Sequence, residues 1–463
     1  MPLLIKNGEI VTASDRYRAD IYCAGETITR LEPSIDSSEL PKNVEVIDAA
    51  GKMVFPGFID PHVHIHLPFM GTLAKDDYES ASRAALAGGT TTLIEMICPG
   101  PDDEPLDAFE DWASRAASLA AVDYSFHMSV VRFDKKAQRQ FRTIVTKKGV
   151  PSFKVFLAYK GALNLSDEDL FGTLKLARNL GAMVTAHCEN ADVIDAMQQA
   201  LVAEGKTGPK YHYVSRPPIV EAEGVHHILT FAELTGAHVY TVHTSCDEAV
   251  RTALEARYRG TNVWIEAVVP HLVLDKSYAE RANFEGAKYV MSPPLRDKCN
   301  QPVLWNALRR RFISTIGTDH APFDFVGQKD LGRDNFAKIA NGIPSLQERI
   351  GLVYTHGVVA GLIDLNTMVD ACSTQAAKLF GMYPRKGAVA IGSDADLVVF
   401  DPDYRGTFTH ANSYSNVDYN AYEGWKVQGR PSVVTVRGEV QARDGKFVGT
   451  LGRGRLVERD ATH

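Results

Sequence analysis

The stretch Gly57-Phe-Ile-Asp-Pro-His-Val-His-Ile-His66 decides how this chain is read. Its apolar start is strand-like, and side chains alternate along a strand with a period of two, so His62 and His64 face the same side. One metal ion can take both rings. Working outward, residues of metal-binding type recur where later strand patterns run out: Lys154, His187, His243 and Asp319.

Eight strand patterns precede residue 320: 53–59, 90–96, 124–131, 152–158, 182–187, 238–243, 262–268 and 312–319. Helical signals separate them. Asp76 with Glu79 three residues on predicts a capped helix start, Gly88-Gly89 predicts its end, and Ser166 with Asp169 predicts another start. Strands alternating with helices define a parallel sheet with helical crossovers, and eight such units predict an α/β fold, a TIM-type (β/α)8 barrel. Active sites of that fold lie at the C-terminal ends of the strands. The six candidate residues fall on the first, fourth, fifth, sixth and eighth strands. A single histidine at a strand end is usually a structural hydrogen-bonding residue, and a single aspartate there is often a helix cap; five strands delivering such residues to one mouth is a different matter.

Four histidines, a carboxylate and a lysine exceed the needs of one tetrahedral zinc, and an ammonium offers a metal no lone pair. Two metal ions account for the surplus. Lys154 taken alone reads as an inward-facing oddity.

The flanks have a different texture. Residues 1–52 and 385–440 read as short strands punctuated by glycine, with Asn7-Gly8 and Ala24-Gly25 as hairpin turns. They are expected to pack together as a smaller β-sandwich domain beside a catalytic barrel at 53–384. The tail 441–463, with Gly452-Arg-Gly-Arg-Leu-Val, is a candidate subunit contact. The 463 residues are 45% hydrophobic and 23% charged, with a formal net charge of -7, so no basic footprint for nucleic acid exists. The start lacks a basic n-region and no apolar run is long enough for a bilayer, which leads to the expectation of a cytoplasmic protein with no membrane partner. The six cysteines form no CxxC pattern and are expected as reduced thiols.

The ordered set of motifs resembles the amidohydrolase superfamily: the first-strand HxH, Lys154 in Phe153-Lys-Val-Phe-Leu-Ala-Tyr-Lys-Gly161, His187, His243, Gly317-Thr-Asp-His-Ala-Pro and Gly392-Ser-Asp-Ala-Asp-Leu-Val-Val-Phe. Within it, Pro68-Phe-Met-Gly, Ala84-Ala-Leu-Ala-Gly-Gly-Thr-Thr, Met291-Ser-Pro-Pro-Leu-Arg and Lys338-Ile-Ala-Asn-Gly-Ile are similar to the dihydropyrimidinase and hydantoinase family. The resemblance spans almost the whole chain. It implies two zinc ions, the more buried held by His62 and His64 with Asp319, the more exposed by His187 and His243. Lys154, carboxylated by carbon dioxide, would bridge them together with a hydroxide that acts as nucleophile. It also implies that Asp319 shuttles the proton, that Tyr159 steadies the developing oxyanion, and that Ser292 and Asn341 hold the ring through backbone groups. The substrate implied is a small cyclic amide (dihydrouracil, dihydrothymine or a hydantoin), and the assembly a homotetramer or homodimer. Allantoin hydrolysis is the enzymatic alternative, and a non-catalytic scaffold related to dihydropyrimidinase the other; the six intact ligand positions speak against the scaffold. Ser292 before Pro293-Pro294 and Asn341-Gly342 are also plain turn signals. His66 departs from the family pattern and is read as a pocket-lining, supporting or third metal-binding residue; His271 is read as a supporting residue.

Overall fold

A computed structural model describes residues 2–461; Met1, Thr462 and His463, the outermost residues of the two terminal segments, lie outside the described residues. Eight parallel strands form one sheet in consecutive order: Phe58–Val63, Thr90–Ile97, Asp123–Ser129, Ser152–Phe156, Met183–His187, His238–Thr241, Val263–Val268 and Thr315–Gly317. The sheet closes into a barrel where the last strand meets the first. There the Asp319 N–H donates to the His62 carbonyl (3.0 Å) and the His64 N–H to that of His320 (2.8 Å). Asp60 reinforces the seam: its carboxylate accepts the backbone N–H groups of His62 and Thr318, each at 3.2 Å, and the Thr318 hydroxyl at 2.7 Å.

The first strand differs from its expected span. Met53–Pro56 belongs to another sheet and pairs antiparallel with Leu397–Thr407, while the barrel strand begins at Phe58. Gly57 makes the switch, in a place so tight that a β-carbon there would lie 2.1 Å from Thr91 Oγ1. The eighth strand is also shorter than its apolar pattern, because residues 312–314 still belong to the preceding turn. Asp77, not Asp76, caps the helix Tyr78–Ala87, in a capping box with Ser80. Asp76 is used elsewhere, accepting from the His320 ring at 2.8 Å and from Ser415 Oγ at 2.8 Å. Ser166 caps Asp167–Leu180 as its spacing predicts, accepting from the Asp169 N–H at 3.2 Å.

The terminal segments form two further sheets. Four strands run in the order Thr27–Glu32, Asp20–Ala24, Leu3–Lys6, Glu45–Asp48; seven run from Lys446–Phe447 through Leu397–Thr407 and Met53–Pro56 to Arg16–Arg18. Strands from both ends of the chain therefore share one sheet, and the two sheets bury a common core of Leu3, Ile5 and Ile21 against Ile10, Val54, Leu397 and Val399. Ala24-Gly25 turns a hairpin as expected. Asn7-Gly8 does not: Leu3–Lys6 and Glu9–Val11 lie in different sheets, and Asn7, at φ 65°, redirects the chain from one to the other. The segment after residue 450 lies along the barrel of its own chain, where Arg459 is buried and donates to Ser125 Oγ (2.8 Å) and Ser152 Oγ (2.7 Å). All six cysteines are free thiols, and no described helix is long and apolar enough to cross a membrane.

Candidate active site

The strand ends open into a small cleft lined by His64, Lys154, His187, His243 and Asp319, with Leu67, Phe69, Phe156 and Leu163 as apolar wall and Tyr159, Ser292 and Asn341 at its side. A larger groove lies away from this cleft beside Gly88; its charged groups are Lys446 and the mutually paired Arg430 and Asp444, and among the described residues no histidine or cysteine lines it.

His62 and His64 share a face as period two requires: their Nε2 atoms lie 3.1 and 3.2 Å from the same oxygen, Asp319 Oδ1. One ligand atom each from His62, His243 and Asp319 falls within 4.8 Å of the others. The His62 ring centre is 5.4 Å from that of His243, and His243 is 4.5 Å from His187. Lys154, 1% exposed, enters the same space with no hydrogen bond or ion pair from its ammonium among the described residues. All six residues are brought together.

The electrostatics are those of a site made for a cation. Burial alone would lower the His62 imidazole, but the carboxylates of Glu266 and Asp319 hold it up at about 9. Burial alone would raise Asp319, but His62, His64 and His243 hold it well below the carboxylate range. Burial pushes His64 down to about 4 and Lys154 down to about 8. The buried His62 Nε2 and His243 Nδ1 make no hydrogen bond of proper geometry among the described residues, and buried polar atoms of this kind are rare without a partner. Imidazole lone pairs, a carboxylate and an unpaired buried amine in one pocket fit a metal ion.

Supporting groups orient the ligand candidates. Glu266, wholly buried on the seventh strand, spans His62 Nδ1 with both oxygens, at 3.1 and 3.2 Å. That bond fixes the ring with Nε2 toward Asp319. Gly317 leaves room for it, since a β-carbon there would lie 2.4 Å from Glu266 Oε1. His187 Nε2 lies 2.7 Å from Glu189 Oε2, which leaves Nδ1 toward the cleft; the same oxygen accepts from Arg216 Nη1 at 2.6 Å. Burial would raise Glu189, but Arg216 and His187 hold it down at about 2. The Arg216 guanidinium lies 5.7 Å from the centre of the Tyr159 ring, whose hydroxyl burial pushes up to about 12. Tyr159, His243 and Asp319 have φ of 65°, 39° and 52°. A side chain in this left-handed region costs about 1 kcal/mol or more, and such strain clusters where surroundings enforce a functional geometry.

Sequence reasoning passed over Glu266, Glu189, Arg216 and Asp60. The available signal was an acid inside an otherwise apolar run, as in Val263–Val268. His66 is not in the cleft lining: at φ 55° its ring turns toward Tyr78, centre to centre 5.9 Å. His271 Nε2 donates to the Pro293 carbonyl at 3.1 Å and supports that loop.

A parallel barrel that converges histidines, an aspartate and a buried lysine at its C-terminal mouth defines the class of metal-dependent barrel hydrolases. The amidohydrolase family model matches residues 53–441. The chain is 46% identical over 460 residues to a D-hydantoinase from Geobacillus stearothermophilus, covering 99% of this chain and 97% of the relative. It is 35% identical to dihydropyrimidinase from Rattus norvegicus, over 99% of this chain and 88% of the relative. A solved D-hydantoinase (dihydropyrimidinase) from Thermus sp. superposes with a TM-score of 0.97 at 56% identity, covering 99% of both chains. The chain belongs to the amidohydrolase family, in its branch of D-hydantoinases and dihydropyrimidinases, which are cyclic amidohydrolases.

Proposed function

We propose that this chain opens the ring of 5,6-dihydropyrimidines and hydantoins by hydrolysing the cyclic amide, giving N-carbamoyl amino acids. The observation that carries the reading is the convergence of six ligand-type side chains from five strands on one cleft. His62, His64 and Asp319 would hold the inner of two zinc ions and His187 and His243 the outer, with carboxylated Lys154 between them. When bound, the two ions lower the pKa of a water and polarise the scissile carbonyl.

The protein's own groups do the rest. Burial lowers Lys154 to about 8, so a minor fraction of it is the free amine near neutral pH, far more than for an exposed lysine. The free amine can then add to carbon dioxide, losing its proton as the N–C bond forms and gaining an anionic two-oxygen ligand. Asp319, kept ionised by the histidines around it, accepts the proton of the attacking water and passes it to the leaving ring nitrogen. Tyr159, held protonated by burial, donates to the oxygen on which charge develops. Backbone groups of Ser292 and Asn341 pair with the imide N–H and carbonyls of the ring.

Selection for neutral rings follows from the lining. Leu67, Phe69, Phe156 and Leu163 offer the ring substituent no hydrogen bonds, and Arg216 is already engaged by Glu189. An acidic substituent such as that of dihydroorotate finds no counter-ion there. The polar ureido group of allantoin is likewise poorly matched. We read the chain as a cytoplasmic homotetramer or homodimer, with the tail after residue 440, where Val448 is exposed, as a subunit contact; sizing of a truncated chain tests this, and an unchanged profile rejects it. Ring opening itself is tested by Asp319→Ala, which is expected to keep its fold and lose turnover. A fully active variant overturns the proposal.

A further inference from the structure

Lys329 is wholly buried, yet no carboxylate pairs with it among the described residues. Its ammonium donates to two carbonyls, Ala340 at 2.7 Å and Val290 at 3.2 Å. Desolvating a cation against neutral partners alone is costly, and burial accordingly pushes this amine down to about 7. A core position would be served better by an apolar residue of the same length. The two carbonyls it selects are informative: each belongs to the residue just before a ring-contacting segment, Met291-Ser292 on one side and Asn341 on the other.

Further bonds tie the same two segments. The Gly342 N–H donates to the Val290 carbonyl at 2.9 Å, and Gly342 holds φ 152° against Ala321, where a β-carbon would meet a carbonyl oxygen at 2.2 Å. Asn341 Nδ2 donates to Ser292 Oγ at 3.0 Å. From the far side, buried His212 places Nε2 2.9 Å from the Met291 carbonyl and 3.1 Å from Ser292 Oγ. A carbonyl can only accept, so this nitrogen carries the proton. The Ser292 oxygen thus receives two donors, and its own proton is left to point elsewhere.

We propose that Lys329, with His212, is a positioning residue: a buried cross-tie that sets the spacing of the Ser292 and Asn341 segments and thereby the fit of the cyclic amide ring. The inference rests on the ring-opening reading for what the segments hold, but the tie itself does not. None of its atoms touches the metal candidates, so it acts on ring binding and not on the metal.

The test uses the metal-loaded full chain and Lys329→Met, which keeps the length and removes the donors. Hydrogen exchange is read at residues 289–294 and 338–343, and steady-state kinetics are measured on whichever cyclic amide the unaltered protein opens. The expected result is faster exchange confined to the two segments, unchanged zinc content, and a KM raised about tenfold, the size of one misplaced hydrogen bond, with kcat little changed. Unchanged exchange there overturns the cross-tie, as does a fall in kcat at constant KM. If the unaltered protein opens no cyclic amide, the functional reading fails while the exchange result still decides the tie. Should Lys329→Met not fold, His212→Phe removes the tie from the other side and is judged by the same two readouts.

Discussion

Removing Glu266 should weaken metal binding without dismantling the barrel. Its carboxylate spans His62 Nδ1 at 3.1 and 3.2 Å, both side chains are fully shielded from solvent, and no other group reaches that nitrogen among the described residues. In Glu266→Ala the His62 ring loses both its fixed tautomer and its orientation toward Asp319. A hydrogen bond to a charged group contributes about 1.5–3 kcal/mol. At about 1.4 kcal/mol per decade, that loss corresponds to roughly 10–100-fold weaker zinc binding, the range found when partners of ligating histidines are removed. Glu266→Gln keeps an acceptor for Nδ1–H and should lie nearer the unaltered protein. The assay is competition of metal-stripped protein with a chromophoric chelator, with kcat measured separately at saturating zinc. Equal zinc affinity in Glu266→Ala and the unaltered chain would refute the argument that Glu266 aims His62.

Burial pushes the Glu95 carboxyl up to about 8, with the Ile65 N–H on one oxygen at 2.9 Å and the Tyr78 hydroxyl on the other. Its folded pKa lies above its unfolded value, so the folded state binds the extra proton, and this group's contribution to stability declines as pH rises from about 4.5 to about 8. Glu95→Gln, which can serve both partners, should flatten urea-unfolding stability across that window, and an unchanged slope would contradict this. Tyr159→Phe should lower kcat by roughly 10²–10³-fold, as loss of one oxyanion donor does, at unchanged zinc content; kcat within twofold would reject the role. Gly317→Ala forces a β-carbon to 2.4 Å from Glu266 Oε1 and 3.3 Å from His62 Cβ. Such overpacking should cost about 1–3 kcal/mol and weaken zinc binding, read by thermal melts and the same chelator competition; wild-type values for both would contradict the crowding.

The parts of this molecule that sequence patterns reveal are those governed by local periodicity. Alternation put His62 and His64 on one face, and the regular return of strand and helix signals gave the barrel and the strand ends that carry Lys154, His187, His243 and Asp319. What stayed hidden depends on partners far along the chain. Glu266 meets His62 across 204 residues, and Lys329 meets Val290 across 39; no local spacing marks either pairing. Boundaries failed where one apolar run serves two sheets, as at Pro56 and Phe58, because burial is the same on both sides of Gly57. Asp76 misled for a similar reason: its neighbour Asp77 offers the same capping chemistry, and the distant His320 decides which of the two is free to cap.

The central claim is tested most directly by supplying the purified protein with zinc and bicarbonate, adding dihydrouracil or hydantoin, and following loss of the ring's ultraviolet absorbance. The account predicts turnover that chelation abolishes and zinc restores, with about two zinc ions bound per chain at full activity. Fully metal-loaded protein that opens neither ring, or turnover indifferent to chelation and stripping of the metal, would contradict it.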